Sequence, residues 1–348
     1  MSCSNSVREP LVSVVIPCYN CAGKIWRALN SILIQNYPQL EIIIVDDGSD
    51  ENIADTIDSF NTSFSIIYLK QENKGAAAAR NLALRNSSGK YICFLDSDDY
   101  LLPNSIDSRV NVLNNHPEIG LVFTDFSKII QYKGRNVTFR HNDLAETKFL
   151  EHLSTHLYAP AENNVYLFEK DIFFELIIRS FIWTGTVMIR REVLSCVGYF
   201  SEKLKISEDH DFWLRICAIY PIAFYSICTA VYTMHDKGIT KNIPLYYESA
   251  ISVRSKFLHK CHHLPPEYIS RLKIKLAAYL YSEAYYFYKN ANFRKSNNCF
   301  LRSAAYNHLN LSTYLYIFLT WFPPKLIFQL RKLKQKAFNP VLFSKRHQ

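Results

Sequence analysis

KYICFLDSDD, residues 90–99, runs from five consecutive apolar residues straight into three carboxylates. A continuous apolar run without alternation marks a strand buried on both faces of a parallel sheet. Ligands of such sheets bind at the carboxyl ends of the strands, where these acids fall. Working outward, LVSVVIP (11–17), LEIIIVDDGS (40–49) and FSIIYLK (64–70) have the same character, and helix-like stretches at 23–36, 50–60 and 74–86 separate them. Three of the four runs lead into polar sequence: PCYN, DDGS and DSDD. This pattern predicts an α/β fold, a mostly parallel central sheet flanked by helices, with its chemistry along one edge.

The bulk properties bound the function. The chain has 348 residues and a formal charge of +9, enough for one large or two ordinary domains and consistent with an anionic partner. The first residues lack the basic and apolar regions of a signal peptide. The nine cysteines are scattered, so the expectation is a cytoplasmic, reduced protein whose cysteines act as small apolar residues. Cys18 and Cys21 have the spacing of a thiol–disulfide site; the alternative is that they fill a loop whose working residues are Pro17, Tyr19 and Asn20.

Farther along, IGLVFTDF (119–126) reads as a strand followed by polar sequence, 146–180 as helical, 183–189 as strand-like and 223–235 as a last strand. SEDHDFWLRICAIY (207–220) reads as a helix opened by Ser207, with Glu208 and Asp209 in its first turn. The expected division is a catalytic domain over 1–244, with a donor half at about 10–125 and an acceptor half at 126–244, then a helical region over 245–348. The apolar run YLYIFLTWF (314–322) stops at Pro323 and is too short to span a bilayer. With the basic RKLKQK (331–336) behind it, it suggests either peripheral contact with an anionic membrane or a packed terminal helix with a solvated basic end.

Asp96 and Asp98 form a D-x-D at a strand end, and paired carboxylates suit Mg²⁺ or Mn²⁺ shared with a phosphorylated ligand. The alternatives are a solvated acidic loop or a D-x-D phosphatase; three strands precede the motif, which counts against the latter. Asp47 stands where a strand-tip acid accepts from a nucleoside, or in an ordinary Asp-Gly turn. Arg80, in NKGAAAARN (73–81), either faces a diphosphate or lies on a helix surface. No G-x-G-x-x-G follows the first strand and no G-x-x-x-x-G-K-[ST] occurs, so dinucleotide and P-loop chemistry are not expected.

Taken in order, I-P-x-Y-N, V-D-D-G-S, N-x-G-x-x-x-A-R-N, F-L-D-S-D-D and E-D-x-D-x-W-L-R resemble the motifs of the inverting family-two glycosyltransferases of the GT-A fold. The match runs over about 10–120 and resumes at 182–236. The resemblance implies a nucleotide-sugar donor, usually UDP-linked, and Mn²⁺ or Mg²⁺ at the D-x-D. Pro17, Tyr19, Asn20 and Asp47 would line the nucleotide, Arg80 would sit near the phosphates, and Asp96 and Ser97 would face the ribose and metal. Asp98 and Asp96 would bind the metal, with His235 at the position of a family histidine. Asp209 would be the general base, Asp211 the second candidate, and Glu208 a residue positioning the acceptor. Thr233 stands where the family often has arginine, which weakens the inference for His235. In this reading the Cys18–Cys21 loop walls the nucleotide pocket and no redox chemistry is expected. Such an enzyme would act on a glycan or lipid-linked acceptor in cell-surface polysaccharide biosynthesis, at the inner face of the cytoplasmic membrane and without nucleic acid. The contrasting class is an inactive relative that binds nucleotide-sugar or glycan as a scaffold.

Overall fold

The computed structural model describes residues 9–132, 135–141, 148–157, 162–234, 242–260 and 264–322. The chain divides into two compact units, Met1–Lys241 and Asn242–Gln348.

Unit one is built on a ten-stranded sheet: β1 (Val12–Cys18), β2 (Leu40–Asp46), β3 (Ser65–Lys70), β4 (Tyr91–Phe94), β5 (Tyr100–Leu101), β6 (Leu121–Tyr132), β7 (Arg135–His141), β8 (Val165–Phe168), β9 (Met188–Arg190) and β10 (Ile222–Met234). The spatial order is β3-β2-β1-β4-β9-β6-β10-β5, with β7 on β6 and β8 on β10. The first four strands are parallel, and β1, β2 and β4 are buried along their whole length, as unalternated runs require.

The rest of the sheet is mixed rather than mostly parallel. β9 runs antiparallel to both β4 and β6, and β10 is parallel to β6 but antiparallel to β5 and β8. Two local expectations are corrected. The polar sequence after residue 126 continues β6 to Tyr132 and returns as β7. The segment 146–180 is not helical throughout: Asn163 and Asn164, both at positive φ, turn the chain into VYLF, which pairs with β10 as β8.

Helices α1 (Ile25–Leu33), α2 (Ala54–Asp58), α3 (Ala76–Arg85), α4 (Ser105–Asn115), α5 (Lys148–Leu153), α6 (Ile172–Ile178), α7 (Val193–Val197) and α8 (Glu208–Cys217) complete this unit. Ser207 precedes α8 in a left-handed conformation and its hydroxyl makes no capping bond, so it opens the helix by its backbone turn alone. Unit two holds α9 (Ile243–Lys260), α10 (Pro266–Lys289), α11 (Phe293–Tyr306) and α12 (Leu311–Leu319). Among the described residues no helix is long and apolar enough to cross a membrane.

A buried carboxylate knits the back of the sheet. Glu41 on β2 accepts from Ser13 Oγ (2.5 Å), Ser88 N (2.6 Å), Ser88 Oγ (2.9 Å) and Gly89 N (3.0 Å). A Cβ at Gly89 would lie 2.5 Å from Ser13 Oγ, so only glycine admits this approach. Burial pushes the Glu41 carboxyl up, but the hydrogen bonds more than offset it and hold it below 4.5. A lowered folded pKa gives stability that is complete above the unfolded value and lost as pH falls through the folded one. Glu41→Gln is therefore expected to cost about 2–3 kcal/mol at neutral pH. The gap to wild type should close in acid; a gap that persists unchanged through the acid limb of urea titrations would contradict this account.

Candidate active site

Because β1, β2 and β4 are parallel neighbours, their carboxyl ends bring residues 17–20, 46–49 and 96–99 to one edge. Pro17 is buried, while Tyr19 is half exposed and stands out of the loop. Asn20 is at positive φ; its N–H donates to Ser49 Oγ (2.9 Å) and its Oδ1 accepts from Asp50 N (3.0 Å), stitching the first loop to the second. Cys18 and Cys21, both buried, are joined as a disulfide around Tyr19 and Asn20, which corrects the expectation of reduced thiols at this pair. The five other described cysteines are unpaired.

Asp46 is fully buried and ties Ser49 N, the Tyr68 hydroxyl and Lys70 together. Asp47 is also buried, and it accepts from Gln71 Nε2 (2.7 Å), Lys74 N (2.8 Å) and Gly75 N (2.8 Å). Three acceptor positions of that carboxylate thus hold the loop leading into α3. Gly48 sits at φ +76 with Asn73 N 2.7 Å from where a Cβ would be, which leaves glycine alone at that turn.

Arg80 joins the two halves of the site. It is not a surface arginine: it is 5% exposed, donating to Asp96 Oδ1 and to Glu208 Oε1, each at 2.7 Å. The guanidinium therefore stands between carboxylates rather than open to a ligand, and the D-x-D and the start of α8 meet on one cation although 112 residues separate Asp96 from Glu208. Burial and the adjacent Asp209 push the Glu208 carboxyl up against the pull of Arg80.

Asp209 is half-buried; Thr184 Oγ1 donates to its Oδ2 (3.1 Å) and His210 N to its Oδ1 (2.7 Å). Asp211, the second candidate base, is fully buried and pairs with Arg215 at 3.0 Å, so it is a helix-internal ion pair without access to a substrate. Ser97 and Asp98 are half-buried in the D-x-D turn. Trp183 is wedged against Phe126 and Tyr232, with ring centroids at 4.7 and 5.1 Å, so its described contacts are with protein. His235 lies outside the described residues.

The test of a metal at this edge is whether negative charge is left uncompensated. Asp99 is buried with Oδ2 lacking a hydrogen bond, and burial together with Asp96 and Asp98 holds its carboxyl well above the ordinary range. The same acids and burial push Tyr232 up to about 12. Among the described residues no set of three His, Cys, Asp or Glu is arranged as a complete metal cage. A two-carboxylate site completed by phosphate and water fits these residues, which is how Mg²⁺ and Mn²⁺ are commonly held.

Residues 27, 31 and 35 are the part of the site that the motifs did not reveal. Arg27 Nη2 donates to Asp98 O and Thr233 Oγ1, each at 2.8 Å, and its guanidinium lies over Tyr100. Leu101 N donates to Ser31 Oγ (3.0 Å); Gln35 donates to Leu102 O (2.9 Å) and accepts from Ile106 N (3.1 Å). These residues recur every four positions on one face of α1 and just beyond, holding the chain from the D-x-D into α4. The signal was present as a polar stripe on a helix whose remaining residues, Asn30 apart, are apolar.

The sequence profile of glycosyl transferase family 2 matches residues 13–198, just over half of the chain. The chain belongs to glycosyl transferase family 2. Its curated relatives include uncharacterized glycosyltransferases of Rickettsia felis (27% identical over 72% of this chain and 38% of that protein) and Rickettsia prowazekii (32% over 63% and 62%), so it spans less than two thirds of these relatives. An Escherichia coli UDP-Glc:α-D-GlcNAc-diphosphoundecaprenol β-1,3-glucosyltransferase is 42% identical over 30% of this chain and 41% of that enzyme. Among solved structures, Staphylococcus aureus TarS 1–349 in complex with UDP-GlcNAc superposes with a TM-score of 0.59, at 18% identity over 85% of this chain and 81% of that one. The Pyrobaculum calidifontis mannosyltransferase in complex with GDP-Man and Mn²⁺ gives 0.58, at 17% identity over 98% and 89%. The family 2 chain therefore has the GT-A fold that its motifs implied, extended by the helical region.

Proposed function

We propose that the protein is a metal-dependent, inverting glycosyltransferase that moves a hexosyl or N-acetylhexosaminyl group from a UDP-linked donor to a hydroxyl of a glycan or lipid-linked acceptor in polysaccharide biosynthesis. The observation that carries this reading is Arg80 holding Asp96 and Glu208 together, so that the D-x-D and Asp209 border one site. The lipid-linked substrate of the E. coli relative and the donor complexes of TarS and the mannosyltransferase support it.

Inversion at a sugar carbon is a single displacement, so the acceptor hydroxyl must lose its proton on the side away from the departing diphosphate. Asp209 is the group offered for that proton: Thr184 and the His210 N–H orient its carboxylate, and the neighbouring acids are engaged elsewhere. Glu208 stays on Arg80, holding the start of α8 in place as a positioning residue. Pro17 and Tyr19 offer a wall for the base, and Asp47 shapes the adjoining loop. Asp98 and Asp96 would hold Mn²⁺ or Mg²⁺, which when bound neutralises charge on the leaving diphosphate.

The test is a panel of nucleotide-sugars scored for released nucleotide with and without Mn²⁺, beside Mn²⁺ binding followed by electron paramagnetic resonance. UDP is expected from at least one UDP-sugar. Asp98→Ala should reduce turnover at least about a hundredfold, because the metal contributes several kcal/mol. It should also weaken Mn²⁺ binding in the presence of UDP. Undiminished Mn²⁺ binding by that variant would remove the metal assignment, and a panel silent with every UDP-sugar would remove the donor class.

A further inference from the structure

After Ser312 and Thr313 in its first turn, helix α12 is apolar on every side from Tyr314 to Leu319, yet only half of it is covered. Tyr316, Ile317 and Leu319 pack toward the aromatic core of unit two, with Tyr316 stacked on Phe300 at 5.2 Å, and Thr313 is buried beside them. On the opposite side Leu311, Tyr314, Leu315, Phe318 and, just past the helix, Trp321 are between 44 and 81% exposed. Tyr314 and Leu315 stand three and four positions after Leu311, and Phe318 and Trp321 follow Leu315 at three and six, which places all five on one helical face. A helix that is apolar all round is normally buried on all sides. Leucines and aromatics gathered this densely on one face mark a contact surface rather than the scattered apolar exposure of any protein.

We infer that this face is a docking surface for an anionic lipid bilayer, lying in the plane of the interface. Two observations favour a bilayer over a second protein. The 26 residues that follow, 323–348, carry seven lysines and arginines and no aspartate or glutamate. A basic segment adjoining an apolar face is complementary to acidic lipid headgroups, and a protein partner would not require that excess. The face also includes Tyr314 and Trp321, side chains whose apolar body and polar tip suit the headgroup boundary. At nine residues α12 is about 14 Å long, which allows it to lie on a membrane and not to span one. The surface draws on none of the residues assigned to transfer, so its test is independent of that reading.

The experiment is co-sedimentation of the full chain with phosphatidylcholine vesicles, with and without one third phosphatidylglycerol. Wild type is expected to sediment with the anionic vesicles, less so as salt is raised, and to leave the neutral ones. Leu315→Glu/Phe318→Glu should lower the partition coefficient about tenfold or more while far-UV circular dichroism and Tm stay unchanged. In wild type, brominated lipid should quench tryptophan fluorescence, and Trp321→Phe should abolish that quenching, which tests the surface without a charge-bearing variant. Equal sedimentation of the double variant, or quenching that survives Trp321→Phe, would overturn the proposal. So would a double variant that changes only the oligomeric state, since a second copy would then be the occupant. A fall in Tm without a change in sedimentation would make residues 323–348 the cover and also refute it.

Discussion

Asp209→Asn is expected to lower kcat by about 10²–10⁴-fold, the usual contribution of a positioned general base. The substitution is close to isosteric. Asparagine keeps one oxygen to accept from the His210 N–H, while its amide nitrogen takes the other position and can donate to Thr184 Oγ1, now 3.1 Å away, whose hydroxyl accepts as well as donates, so α8 should start as before and Tm should hold. Donor affinity should change little, because the base acts on the acceptor. The signature is therefore a fall in kcat with donor KM and UDP binding preserved. Glu208→Gln distinguishes the neighbouring acid: it should lower stability as well as turnover, since it weakens the pairing to Arg80. If Asp209→Asn retained full turnover, the base would have to be sought elsewhere. Asp211 would be a poor replacement, being fully buried and engaged with Arg215.

Arg80→Met carries the largest expected loss of stability, about 3–5 kcal/mol, because it strands charge in the protein interior. Arg80 is itself buried, and it leaves behind Glu208, with its side chain 11% exposed, and Asp96 at 28%. The partial exposure of Asp96 allows water to replace the guanidinium there, which places the expected cost toward the lower end of that range. In the Glu208→Gln background the same substitution should cost less, since only one carboxylate is then abandoned; strict additivity in the double-mutant cycle would refute the shared-cation account. The pH dependence has a definite sign. Burial and Asp209 already push the Glu208 carboxyl up against the pull of Arg80, so removing the cation raises it further; a raised carboxyl pKa costs stability above it, and the deficit should shrink as pH falls. Denaturant titrations between neutral and mildly acidic pH measure this directly.

The donor half of the fold was legible because three of its four strands, β1, β2 and β4, are buried on both faces and only the edge strand β3 is half-buried, so apolar runs and intervening helices mark them without reference to partners. KYICFLDSDD gives a strand and an acidic turn at its end, and parallel pairing with β1 then sets which edge that turn occupies. β8 was not legible: four residues of VYLF have the length and apolarity of a helical turn, and only pairing to β10 makes them a strand. The same holds for β6 beyond residue 126, whose mixed polar sequence becomes strand through its antiparallel neighbour β7.

At the site, the types of the reactive residues were local information, while their availability was not. Spacing marked Asp96, Asp98, Glu208, Asp209 and Asp211 as a set of acids at element ends. Nothing in EDHD indicates that Asp211 turns inward to Arg215 while Asp209 meets Thr184, because helical phase against the sheet decides it. Nor does an alanine-rich helix announce that Arg80, rather than Arg85 at its end, will be buried between carboxylates from two distant segments. By itself the sequence determined the strand edges, the acidic turn and the family they belong to, since these rest on short-range patterns of hydrophobicity and spacing. The tertiary structure alone decided which carboxylates are paired, which remain open to a ligand, and that Arg27, Ser31 and Gln35 support the D-x-D. Charge pairing and burial depend on contacts between residues far apart in the chain, and those exist only once the sheet has closed.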